Sequence, residues 1–198
     1  MVISFFGIGN ARTLNATCVL ISSDRQTPTG VIRIIHDPTS SCKFSLNGSV
    51  TGLSEGNHGF HIHNYGDLSQ GCFSAGDHYN PLSLDHGALN DENKHLGDLG
   101  NIRADNRGVA IVQICDTQLS LSGEFSVLGR TIVVHKDPDD LGRGAESSKT
   151  TGNSGARLAC CIIGTGTLRS SSSRTSTMSY LFFVYFFLGI NQIRMYLC

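Results

Sequence analysis

The sequence predicts an all-β domain, an antiparallel sandwich or barrel carrying two long functional loops. Short β-branched and apolar runs recur along the chain, separated by Gly, Pro, Ser and Asp. With 23 Gly, no Trp and no long segment of 3.6-residue periodicity, helices have little to form from. Two stretches, from beyond His63 to Asp98 and from Asp137 to Thr151, are too polar and glycine-rich for either a helix or a strand, and they read as ordered loops over a rigid sheet. A length of 198 residues suits one domain with a real core.

Met1 to Asn15 holds a short apolar run with no basic residue before it, although Gly9 and Ala11 would serve as a small-x-small cleavage pair. A secretory leader needs a basic start and a longer apolar stretch, so residues 1–15 read as an N-terminal extension. Strand-like runs follow at Cys18–Ile21, Gly30–Ile35 and Phe44–Val50. The next run, Phe60 to Ile62, carries His61 and His63 one residue apart, so on a strand both imidazoles leave the same face.

His78, His86 and His95 then follow at intervals of eight and nine residues, with Asp98 three beyond His95. A lone histidine in a soluble domain is usually a surface or hydrogen-bonded core residue, and His36 and His58 are read that way. Five imidazoles gathered around one strand end have no such ordinary use. A carboxylate among imidazoles suits zinc, and a set of imidazoles alone also suits copper.

Asn106-Arg-Gly108 signals a turn into Val109–Ile114, and Thr131–His135 and Arg157–Ile163 are further apolar strands. Beyond Gly166 comes a Ser-rich linker, Leu168 to Ser179, and then an intensely apolar run, Tyr180 to Ile190. As a helix that run would span about 16 Å, well short of a hydrocarbon core of about 30 Å. Three readings of residues 167–198 compete: a membrane tail anchored by Tyr and Arg194, a lipid-anchor addition signal, or a non-native extension from a misread gene. The formal net charge of −1 gives no basic footprint for nucleic acid.

Gly59-Phe-His-Ile-His63, Gly71-Cys72, Ser74-Ala-Gly76, His78-Tyr-Asn-Pro81, His86-Gly87, His95-Leu-Gly-Asp-Leu-Gly100, Gly129-Arg-Thr-Ile-Val-Val-His135, Asp139-Asp-Leu-Gly142 and Gly152-Asn-Ser-Gly-Ala-Arg-Leu-Ala-Cys160 stand in this order. Together they resemble the copper/zinc superoxide dismutase family, from about Ala16 to Gly166. The resemblance implies a Greek-key β-barrel over residues 16–166, an architecture grouped with β-sandwiches. It implies dismutation of superoxide to dioxygen and hydrogen peroxide, with copper and zinc as cofactors. Copper would be held by His61, His63, His78 and His135, and zinc by His78, His86, His95 and Asp98, with His78 as a bridging imidazolate. Asp139 would join a copper ligand to a zinc ligand and fix their tautomers. Arg157 would bind the substrate anion, and Cys72 would pair with Cys160.

Cys161 adjoins Cys160, but on a strand their side chains point to opposite faces, which discriminates between them. Cys18, Cys42 and Cys115 read as ordinary thiols. The resemblance further implies a homodimer and loading by a copper chaperone; because this family keeps such a disulfide in the cytosol, the bond does not settle location, and the cytosol is the default, with an extracellular or membrane-associated alternative. Asn15-Ala-Thr17 and Asn47-Gly-Ser49 fit the short glycosylation acceptor pattern.

Near the ligands Asn64, Tyr65 and Asp77 depart from the family pattern, and the segment Glu146 to Thr151 is about one residue shorter, which bears on how strongly the charged loop steers an anion. The rival functions are a non-enzymatic chaperone-like module and a metal buffer. Neither requires both Arg157 and Asp139. A zinc hydrolase would need an open coordination position that a His₃Asp set lacks.

Overall fold

The computed structural model describes residues 12–22 and 27–167. Ten strands occur among them: β1 Leu14–Ser22, β2 Thr29–His36, β3 Phe44–Thr51, β4 Gly56–His63, β5 Ser69–Cys72, β6 Asp98–Ala104, β7 Val109–Asp116, β8 Thr131–His135, β9 Arg157–Ile162 and β10 Gly164–Thr165. All of the sheet pairings are antiparallel. Their order is β10-β1-β2-β3-β7-β6-β4-β8-β9, and a further β1–β9 pairing closes eight strands into a barrel, with β10 added beside β1. β3 pairs with β7, so the chain leaves β3 for β4 on the far side of the sheet, a Greek-key crossing.

The period-2 alternation of the strands fills the interior with Ile32, Ile34, Phe44, Leu46, Phe60, Ile62, Ile132 and Val134, all fully buried. Because Phe60 and Ile62 point inward, His61 and His63 point outward. They are nevertheless 0% and 1% exposed, because the two long loops cover that face.

The predicted strand runs all appear, with β1 starting at Leu14. The polar segment 137–151 is a loop except for one helical turn, α1, at Ser148–Thr151. β6 is an additional strand in which Gly100 takes a positive φ of 78°, and this irregularity hides the strand from a periodicity reading. The readings of residues 1–11 and of the 168–198 tail lie outside the described residues. Among the described residues no helix is long and apolar enough to cross a membrane.

Cys72 and Cys160 are bonded, as expected, and sit outside the barrel with Ala75 and Val133. Cys161 points the other way, into the main core, where it is bonded to Cys18. Cys42 at the entry to β3 is bonded to Cys115 near the end of β7. The reading of Cys18, Cys42 and Cys115 as free thiols is therefore corrected. Their partners lie 143 and 73 residues away, and only the β1–β9 and β3–β7 pairings bring them together.

Candidate metal centre

β4 delivers His61 and His63, β8 delivers His135, and the loop between β5 and β6 delivers His78, His86 and His95, with Asp98 opening β6. An isolated bridge pairs His63 with His78, which pins the loop to the end of β4. Two sets of four ligand atoms result, each within 4.8 Å: His61, His63, His78 and His135, and His78, His86, His95 and Asp98. All seven residues are buried, and His78 belongs to both sets.

The hydrogen bonds determine which ring nitrogens face inward. His63 Nδ1 donates to the Gly76 carbonyl at 2.8 Å and His135 Nδ1 to the Gly155 carbonyl at 3.1 Å, which leaves Nε2 of each as a lone pair. Those two Nε2 atoms stand 3.3 Å apart. His61 is reversed: its Nε2 donates to Asp139 Oδ2 at 2.8 Å, and its buried Nδ1 has no hydrogen-bond partner among the described residues. In the second set Asp98 Oδ1 lies 2.9 Å from His78 Nδ1, 2.9 Å from His86 Nδ1 and 3.2 Å from His95 Nδ1. An unpartnered buried nitrogen in the first set and three imidazoles converging on one carboxylate oxygen in the second are what cations would satisfy. The all-imidazole set suits copper and the His₃Asp set suits zinc.

Asp139 joins the sets. Its Oδ2 accepts from His61 and its Oδ1 from His86 Nε2, each at 2.8 Å. Asn101 holds Asp139 from both sides, donating from Nδ2 to its carbonyl at 2.9 Å and accepting from its amide at 2.8 Å. A Cβ at Gly152 would collide with Asp139 Oδ1 and His86 Nε2, and its φ of +60° also favours glycine.

Burial pushes His61 down to about 3 and His135 to about 4, with the charge of neighbouring imidazoles adding to the effect, and burial likewise lowers His63 and His78. For His86 burial opposes the charged form, yet hydrogen bonds to Asp139 and Asp98 outweigh it and raise the ring to about 9. Burial disfavours the charge of Asp98 and Asp139 too, but the histidine hydrogen bonds hold both carboxyls far below the ordinary range.

Arg157 stands opposite His135 in the β8–β9 ladder. Its Nη1 donates to the carbonyls of Cys72 at 2.9 Å and Phe73 at 3.0 Å, and its Nη2 to Gly76 at 2.7 Å. Arg157 also lines a cavity of about 360 Å³ together with His63, His78 and His135. Every site residue expected from the sequence is thus gathered into one place. Sequence reading missed Asn101 and the carbonyls of Gly76 and Gly155. Main-chain acceptors leave no residue-type mark, and the nearest available signal was a glycine close to a ligand or to Arg157.

Residues 28–163 match the family model described as copper/zinc superoxide dismutase (SODC). The chain belongs to the copper/zinc superoxide dismutase family. It is 50% identical over 152 residues to the extracellular superoxide dismutase [Cu-Zn] of Caenorhabditis elegans, covering 76% of this chain and 69% of the relative. It is 47% identical over 157 residues to superoxide dismutase [Cu-Zn] 3 of Arabidopsis thaliana, covering 79% and 92%. The enzyme is an oxidoreductase that dismutates superoxide, and its cofactors are copper and zinc.

Proposed function

We propose that copper is held by His61, His63, His78 and His135, that zinc is held by His78, His86, His95 and Asp98, and that Arg157 positions superoxide beside the copper. The observation that carries this division is that His78 belongs to both buried sets while Asp139 bonds one ring of each. Copper held by the first set would supply the one-electron exchange that dismutation needs, and zinc held by the second would supply charge and rigidity.

The chain's own residues do the rest. His78 turns Nδ1 toward Asp98, so Nε2 is the atom that holds a proton between the half-reactions and passes it to the peroxide; the second proton enters from solvent through the mouth. Asp139 fixes the tautomers of His61 and His86. Arg157 offers its unbonded N–H groups to a small anion and stays charged at every working pH.

Arg157→Ala tests this reading. Copper and zinc contents should stay near native while turnover and its salt dependence fall; unchanged turnover removes the anion-binding role. His86→Ala should lose zinc before copper.

A homodimer belongs to the same proposal. Val19, Ile21, Tyr65, Leu128 and Ile162 are large exposed apolar residues, and the β1 register, Ile21 with Cys160 and Ala16 with Thr165, sets Val19 level with Ile162. Such a patch suits a second copy of the chain, and Ile162→Lys should yield monomers in sedimentation. Delivery of copper by a chaperone is carried over from the family resemblance.

For location, the three disulfides and the extracellular relative favour the extracellular alternative over the cytosolic default. Of the two acceptor patterns Asn47 is exposed, whereas Asn15 Oδ1 is buried. Secretory expression should therefore place a glycan that Asn47→Gln removes, and a secreted chain with no glycan would remove that support.

A further inference from the structure

Asp77 lines the same cavity as Arg157, His63, His78 and His135. It is exposed, and among the described residues its carboxylate has neither a hydrogen bond nor an ion pair. Its backbone is fixed, however: the carbonyl accepts from Asn64 N at 2.9 Å, and Gly76, the preceding residue, accepts from Arg157 Nη2 at 2.7 Å. The backbone of Asp77 is therefore anchored on the same rim as the guanidinium, and the two residues are close enough for Asp77 to oppose the lowering of the Arg157 pKa by burial. An adjoining cavity of about 440 Å³, also lined by Asp77, is lined further by Asp85 and Lys149, which carry opposite charges.

We propose that Asp77 is a specificity-determining carboxylate at the mouth of the metal site, setting a charge filter that admits monoanions and holds back dianions. The proposal rests on the reading of Arg157 and the copper face given above. Arg157 alone attracts a dianion twice as strongly as superoxide, and this bias would let hydrogen phosphate compete for the site. A carboxylate beside it offsets that bias, because it opposes the dianion twice as strongly as the monoanion. For charges about 8 Å apart in water the repulsion is about RT or slightly less, so removing it should favour a monoanion about two- to threefold and a dianion roughly sixfold, both effects shrinking with salt.

The test compares the copper- and zinc-loaded protein with its Asp77→Asn variant, using Glu55→Gln as a control of equal charge change on an exposed residue just before β4. Two quantities are read: kcat/KM for superoxide across ionic strength, and the affinity for hydrogen phosphate by calorimetry, which needs no turnover. We expect Asp77→Asn to raise kcat/KM about two- to threefold at low salt, converging with native at high salt, and to tighten phosphate binding by the larger factor, roughly sixfold. Glu55→Gln should do neither. Unchanged phosphate affinity in Asp77→Asn, or an equal gain in Glu55→Gln, overturns the filter. An inactive native protein whose phosphate affinity still responds to Asp77→Asn would overturn the copper and Arg157 reading and leave the filter standing.

Discussion

Arg157 donates from Nη1 to the carbonyl oxygen of Cys72 at 2.9 Å, while the sulfur of Cys72 is bonded to Cys160, three residues further along the same strand as Arg157. The disulfide therefore closes a small ring around the guanidinium. The loop that carries Cys72 also supplies the Phe73 and Gly76 carbonyls, so the bond fixes the platform on which the substrate anion would be received.

Cys72→Ser should accordingly affect both stability and catalysis. The bond spans 88 residues, and in the chain-entropy description its loss costs about 4 to 5 kcal/mol. Denaturant titration should show that loss, and turnover should fall at unchanged copper content. Native turnover in the folded variant would mean that Arg157 is held without the disulfide.

Asp139→Asn removes an acceptor shared by two rings. His61 and His86 would each lose a fixed orientation, and zinc and copper affinities should fall by about 10- to 100-fold. Competition with a chelator measures this directly. A loss confined to one metal would show that Asp139 serves only one ring.

Lys94 is buried beside His95, a proposed zinc ligand. Its Nζ is 3.7 Å from Asp116 Oδ2 and donates to the His95 carbonyl at 3.3 Å. The amides of Gln118 and Leu119 also donate to Asp116 and would remain after Lys94→Ala. The expected destabilisation is about 3 kcal/mol, at the lower end for a broken buried pair. Urea midpoints would measure it, and a change below about 0.5 kcal/mol would mark the pair as energetically silent.

For protein stripped of metal, stability should fall on either side of neutral pH. His61 and His135 titrate near 3 and 4 when folded, against an ordinary 6.5, so the unfolded chain gains protons first and stability is lost as pH falls below about 6.5. The depressed Asp98 and Asp139 add their own loss below their ordinary value of 3.8. His86, raised to about 9, contributes stability that is complete below 6.5 and is lost as pH rises through 9. Urea midpoints from pH 4 to 10 test this, and a flat profile would contradict it.

Much of this site was legible in the sequence because its chemistry is local. His61 and His63 alternate with Phe60 and Ile62, so a single strand both fills the core and presents two of the proposed ligands. The loop histidines stood out because polar, glycine-rich chain has no packing use for them. What depends on distant pairing stayed hidden. Cys18 finds Cys161 only because β1 closes the barrel against β9, and Lys94 finds Asp116 only once the loop is laid across the end of β7. α1, a single turn at Ser148–Thr151, carries no apolar stripe that a periodicity reading could detect.

The most direct measurement is superoxide dismutation by the purified full-length chain, with copper and zinc counted in the same sample. One copper and one zinc per chain with fast turnover is the predicted result. Both metals bound at that ratio without turnover would contradict the account and favour a metal-holding module instead.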